Sequence, residues 1–152
     1  MSVEGKVAIV TGAGGGLGKQ HALLLAEQGA KVVVNDLGGS VDGSGKSDMA
    51  DLVVEEIRDK GGEAVANKGS VSDRDGAKSI VETAVTKFGT VDILVNNAGI
   101  QHVAPIEKFP ISNWEEVISV NLTAHFHTIA SVIEGMRSRG FGRIINISSV
   151  HG

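Results

Sequence analysis

"KVAIVTGAGGGLG", Lys6–Gly18, decides how this chain folds. Its first half is a short run of apolar, mostly β-branched residues without alternation, the signature of a strand buried on both faces. Its second half places five glycines within the seven residues Gly12–Gly18. Helical periodicity follows at once, over Leu17–Gln28, and Gly29 stands where a helix C-cap belongs. A buried strand feeding a glycine turn and then a helix is the first unit of an open α/β sheet.

The same alternation continues outward. "KVVVND" (Lys31–Asp36), "EAVANK" (Glu63–Lys68), "VDILVNN" (Val91–Asn97) and "GRIINIS" (Gly142–Ser148) read as further buried strands. Helical stretches separate them: Met49–Lys60 before Gly61-Gly62, Ser72–Phe88 before Gly89, and Ser112–Arg139 before Gly140. The last is long enough for one helix or two. The order βαβαβαβαβ predicts a doubly wound parallel sheet with right-handed crossovers and helices on both faces, with residues 1–152 as a single domain. "GGSVDGSGKSD" (Gly38–Asp48) reads as a Gly/Ser loop. Its Gly45-Lys46-Ser47 invites a P-loop reading, but the pattern needs a glycine where Ser40 stands.

Composition narrows the partners. A formal charge of -4 argues against nucleic acid and anionic membranes. No apolar run approaches the ~20 residues that span a bilayer. The absence of cysteine excludes disulfides and thiolate metal sites and fits a cytoplasmic location. His125 and His127 stand two apart on a helix and share no face, so no metal site is expected; His21 and His102 read as ordinary helix and loop residues.

"TGAGGGLG" (Thr11–Gly18) fits G-x-x-x-G-x-G through Gly12, Gly16 and Gly18. Gly12 allows a tight exit from the strand, Gly16 a close backbone approach to a pyrophosphate, and Gly18 close packing of helix on sheet. The helix N-terminus then faces the negative charge. Asp36 ends the second strand 18 residues after Gly18, close to the ~20 expected of a ribose-binding acid. A carboxylate there accepts from both ribose hydroxyls and repels a 2′-phosphate, and Gly15 offers no compensating cation. The expected cofactor is therefore NAD.

"VNNAG" (Val95–Gly99), Asn121 and "GRIINISSV" join this loop in a pattern that resembles the short-chain dehydrogenase/reductase family over the whole chain. The resemblance implies a Rossmann-type fold with strand order 3-2-1-4-5 and hydride-transfer chemistry on a small hydroxy or keto substrate. It also implies tetramers as the common assembly. It places Leu17 with the glycine loop, Ser70 and Val71 beside adenine, and Asn97, Ala98 and Gly99 along the riboses. Ser149 becomes the catalytic serine and Asn121, 28 residues earlier, the asparagine of the proton relay. The family's acid/base is a tyrosine in Y-x-x-x-K, and this sequence contains no tyrosine. The chain is thus expected to be the N-terminal part of a longer dehydrogenase, inactive alone, with its fifth strand an apolar edge guarded by Arg143.

Two branches of the family are visible. The stretch from Val32 to Asn67 resembles (3R)-hydroxyacyl-CoA dehydrogenases, whereas Asn96–Gly152 resembles D-3-hydroxybutyrate dehydrogenases. The second implies that Gln101 and His151 hold a substrate carboxylate, and this half lies at the substrate end. The expected reaction is oxidation of a short 3-hydroxy acid. A hydroxyacyl-CoA or hydroxysteroid substrate and a non-catalytic NAD-binding module are the alternatives.

Overall fold

In a parallel sheet covered on both sides, alternate residues of a central strand must enter different cores. The computed structural model describes residues 2–38 and 48–149 and shows this in β1, Val7–Thr11. Ala8 and Val10 join a core with α1 (Gly16–Glu27) and α2 (Met49–Asp59). Val7 and Ile9 join an opposite core with α3 (Arg74–Phe88) and α5 (Ala124–Arg139). The remaining strands are β2 (Lys31–Asn35), β3 (Glu63–Asn67), β4 (Ile93–Asn96) and β5 (Arg143–Asn146). All pairings are parallel and the order is β3-β2-β1-β4-β5, the Rossmann-type order that the family resemblance implies.

The caps explain most element ends. Asp73 accepts the Gly76 N–H at 2.7 Å and starts α3; Gly89 ends it with a left-handed φ of 87°. Gly140 ends α5 in the same way. The long helical stretch is neither one regular helix nor two separate ones. α4 (Ile111–Ile118) runs into a π turn at Ser119–Thr123, and that turn runs into α5. Such turns are local insertions into a helix and often mark functional positions. The Gly45-Lys46-Ser47 segment lies outside the described residues.

β5 forms one side of the sheet, and its Ile145 is 42% exposed. Among the described residues no helix is long and apolar enough to cross a membrane.

Across the outer surface of α1 and α2, Glu56 accepts from Lys19 and Lys60, both at 2.8 Å. Lys19 first and Lys60 second hold the carboxyl down to about 2. A lowered folded-state value means that this contact contributes above the ordinary value of 4.5 and is lost as pH falls toward 2. NMR titration of the Glu56 carboxyl should give a midpoint near 2, and Lys19→Ala should move it upward; a midpoint at 4.5 in the unmodified protein would remove the contact.

Candidate functional site

The carboxyl ends of β1 and β4 diverge toward loops on opposite sides, and ligands of open α/β sheets bind at such a point. Three residues fix its geometry. Gly12 leaves β1 with φ +60°, and a Cβ there would stand 2.8 Å from the Ala98 Cα. Gly18 lies so close beneath that its own Cβ would meet the Gly12 carbonyl oxygen at 2.2 Å and Asn97 Nδ2 at 2.4 Å. Asn97 donates from Nδ2 to the carbonyls of Thr11 (3.0 Å) and Gly12 (3.1 Å). Thr11 Oγ1 in turn accepts the N–H groups of Asn97 and Ala98, both at 3.0 Å. Gly18 therefore leaves room for the Gly12 carbonyl and the Asn97 amide where a side chain would not.

The start of α1 is open. Gly15 stands at its N-cap without a side-chain bond, and its first turn holds no acidic residue. The unpaired N–H groups of that turn suit a phosphate. Gly16 has φ +51° with nothing within 4 Å of its would-be Cβ, and Leu17 beside it is 68% exposed.

Asp36 lies beside this loop. Its Oδ2 accepts the Gly14 N–H at 2.9 Å and its Oδ1 the Gly38 N–H at 3.0 Å. A carboxylate has about four lone-pair sites, so two hydroxyls can still be accepted. Gly14 is a site residue that the sequence motif passes over: any Cβ there would strike the Asp36 carboxyl at 2.8 Å. Ser70 and Val71 follow β3. The Ser70 carbonyl is pressed against Gly76, where a Cβ would lie 2.1 Å away. Val71 is buried in the α3 core, so a ring at this position would meet backbone more than the Val71 side chain.

Asn121 sits in the π turn, where its side chain grips the backbone after β4. Oδ1 accepts the Ile100 N–H and Nδ2 donates to the Ile100 carbonyl, both at 2.9 Å. The amide is committed to the loop, so a relay through Asn121 would run through its backbone. Gly99 lies next to this contact, its would-be Cβ 3.6 Å from Asn121 Oδ1. Gln101 is exposed on the same loop. Ser149 is exposed three residues beyond β5, on the same edge of the sheet. His151 lies outside the described residues.

A hydrogen-bonded line that the sequence does not announce ties α5 to β5. Thr128 Oγ1 is 2.8 Å from Asn96 Oδ1, its shortest contact, and Asn96 Nδ2 donates to Asn146 Oδ1 at 2.9 Å. Thr128 and Asn96 are 1% and 2% exposed. The hydroxyl also lies 3.0 Å from the Ala124 carbonyl and 3.1 Å from the His125 carbonyl.

This fold, with an uncapped helix start and an acid beside it, is that of a doubly wound, Rossmann-type α/β protein. The model of the short chain dehydrogenase family matches residues 6–152, and the chain belongs to that family. It is 52% identical over 150 residues to the peroxisomal multifunctional enzyme type 2 of Drosophila melanogaster, covering 98% of this chain and 25% of that protein. It is 42% identical to the D-beta-hydroxybutyrate dehydrogenase of Cupriavidus necator, covering 99% of this chain and 55% of the relative. The crystal structure of a short chain dehydrogenase from Mycobacterium avium superposes with a TM-score of 0.87 at 47% identity, covering 98% of this chain and 56% of that one. The chain thus spans about half the length of these bacterial relatives.

Thr128→Val keeps the shape and removes the proton that satisfies Asn96, which should cost about 1–3 kcal/mol. Thr128→Ser should recover most of it. Urea unfolding of both variants checks this, and a loss in Thr128→Ser with none in Thr128→Val would mean that the methyl group, not the hydroxyl, carries the contact.

Proposed function

We propose that residues 1–152 are the dinucleotide-binding portion of one domain of an NAD-dependent dehydrogenase, acting on the secondary alcohol of a 3-hydroxy acid. The observation that carries this reading is the open start of α1 beside Asp36, at the divergence of β1 and β4. Gly12, Gly16, Leu17 and Gly18 would cradle the pyrophosphate and Asp36 the adenosine ribose. Ser70 and Val71 would border the adenine, with Asn97, Ala98 and Gly99 along the second ribose. When bound, NAD supplies the hydride acceptor.

The chain's own residues then have separable tasks. The Ser149 hydroxyl donates to the substrate oxygen, where charge changes as the carbon–hydrogen bond breaks. Asn121 holds the loop that carries Gln101, through the paired contacts with Ile100. Gln101 and His151 receive the substrate carboxylate. In the family the acid/base is the tyrosine of Y-x-x-x-K, and no tyrosine occurs among the 152 residues.

A second reading, a 3-hydroxyacyl-CoA substrate, is favoured by the higher identity to the peroxisomal multifunctional enzyme, 52% against 42%. Both readings share the 3-hydroxy acid unit and differ in what lies beyond its carboxyl carbon.

In the complete protein NAD should bind at least ~10-fold tighter than NADP, about 1.4 kcal/mol, and Asp36→Ala should narrow the gap. Equal affinities before substitution would defeat the assignment of Asp36. On the substrate side, Gln101→Ala and His151→Ala should each raise KM for 3-hydroxybutyrate with little change in kcat, because each removes binding common to ground and transition states. A protein that ignores 3-hydroxybutyrate and oxidises 3-hydroxybutyryl-CoA would establish the second reading.

A further inference from the structure

One side chain lies along the glycine loop beside the ribose-binding acid. A Cβ on Gly14 would stand 2.8 Å from the Cβ of Met49, and 2.8 Å from both Cγ and Oδ2 of Asp36. A Cβ on Gly15 would stand 3.1 Å from the Met49 Cε. Met49 opens α2, and its thioether therefore runs from Gly14 to Gly15 with the Asp36 carboxylate at its foot. A side chain at Gly14 would press on the Met49 Cβ and the Asp36 carboxyl, whereas one at Gly15 would meet only the far end of Met49.

We propose that Met49 is a second specificity-determining residue at the adenosine end of the site, excluding a ribose 2′-phosphate by filling the place where a phosphate-holding cation would have to stand. The inference rests on the dinucleotide reading above. A 2′-phosphate is strongly anionic and needs a cation or several N–H donors. Among the described residues, the groups beside Asp36 offer little of either. The Gly14 N–H is given to Asp36 Oδ2, and a thioether has no proton to donate. Lys68 follows β3, next to β2, but its ammonium is taken by Asp51 at 2.7 Å and Asp48 at 3.1 Å. Those hydrogen bonds, Asp51 first, raise its pKa and keep it charged and engaged. Removing Asp36 alone therefore relieves repulsion and frees the Gly14 and Gly38 N–H groups, but brings no cation.

The test measures Kd for NAD and NADP by calorimetry on the complete protein. The forms compared are the unmodified protein, Asp36→Ala, Asp36→Ala with Met49→Lys, and Met49→Leu. Adding Met49→Lys to Asp36→Ala should tighten NADP binding by ~10-fold or more beyond Asp36→Ala alone, about 1.4 kcal/mol. Met49→Leu, which preserves apolar volume, should leave the NAD-to-NADP ratio unchanged. A folded double variant with the NADP affinity of Asp36→Ala overturns the inference. If the lysine variant does not fold, Met49→Ala on Asp36→Ala replaces it. Opening the space should then at least double NADP affinity, and no change overturns the inference equally. Failure of the dinucleotide reading looks different: neither cofactor binds, or the unmodified protein does not distinguish them.

Discussion

Everything at the carboxyl edge of the sheet depends on how closely α1 can approach the end of β1. Gly18 sets that distance, because its missing side chain leaves room for the Gly12 carbonyl and the Asn97 amide together. With any Cβ at 18 the helix would have to lift, and the hydrogen bonds from Asn97 to Thr11 and Gly12 would open with it. Those bonds join the exit of β4 to the exit of β1. One small residue thus registers a helix start, two strand ends and two loops against one another. Overpacking at such a position typically costs 1–3 kcal/mol, and here both obstructing groups are held by their own hydrogen bonds.

The strands obey a second constraint at the same edge. Their interiors are valine, isoleucine, leucine and alanine, yet their last residues are Thr11, Asn35, Asn67, Asn96 and Asn146. Burying an unpaired polar group is costly, so the buried Thr11, Asn35 and Asn96 need partners. Asn35 donates to the Gly69 carbonyl at 2.9 Å and to Asn67 Oδ1, and Asn67 donates to Thr83 Oγ1 at 2.9 Å. The pairing of Asn35 with Asn67 and of Asn96 with Asn146 follows the strand register directly. A slip by one residue would leave these amides facing apolar neighbours, so the polar row fixes register where the apolar strands alone would tolerate error.

Much of this was legible in the chain and some was not, for a physical reason. The alternation of strands and helices and the glycine turn after β1 follow from local signals: β-branched runs, glycine spacing and C-caps. Strand order, by contrast, is what the family resemblance implies, and Ser112–Arg139 reads equally as one helix or two. Asp36 was placed by its distance from the glycine loop, and the structure sets it against that loop. Its contact with Gly14 crosses 22 residues, which no periodicity encodes, whereas Gly38 stands only two residues away. The π turn is likewise silent, because an inserted residue leaves the helical pattern nearly intact in so short a stretch. Asn121 shows the limit well. Its position in the sequence marks it as functional, but that its amide grips Ile100 emerges only from the fold. Thr128 carries no signal at all: one threonine on a helix looks like any other until Asn96 is beside it.

α5 connects these levels. Ala124, Thr128, Val132 and Met136 form its buried stripe, and Thr128 reaches the sheet through Asn96 to Asn146. Seven residues earlier the same continuous helical run carries Asn121, which holds the backbone at Ile100. A rotation or slide of α5 would therefore be felt at once in the loop that carries Gln101 and in the strand that leads to Ser149. Interior packing does not deform gradually, so the two loops are set as a pair rather than independently. The π turn serves that coupling, because it lies between the segment seated on the sheet and α4, and Asn121 reaches Ile100 from within it. Loops that hold reacting groups work best when a rigid element fixes their separation, and here one helix does so for both.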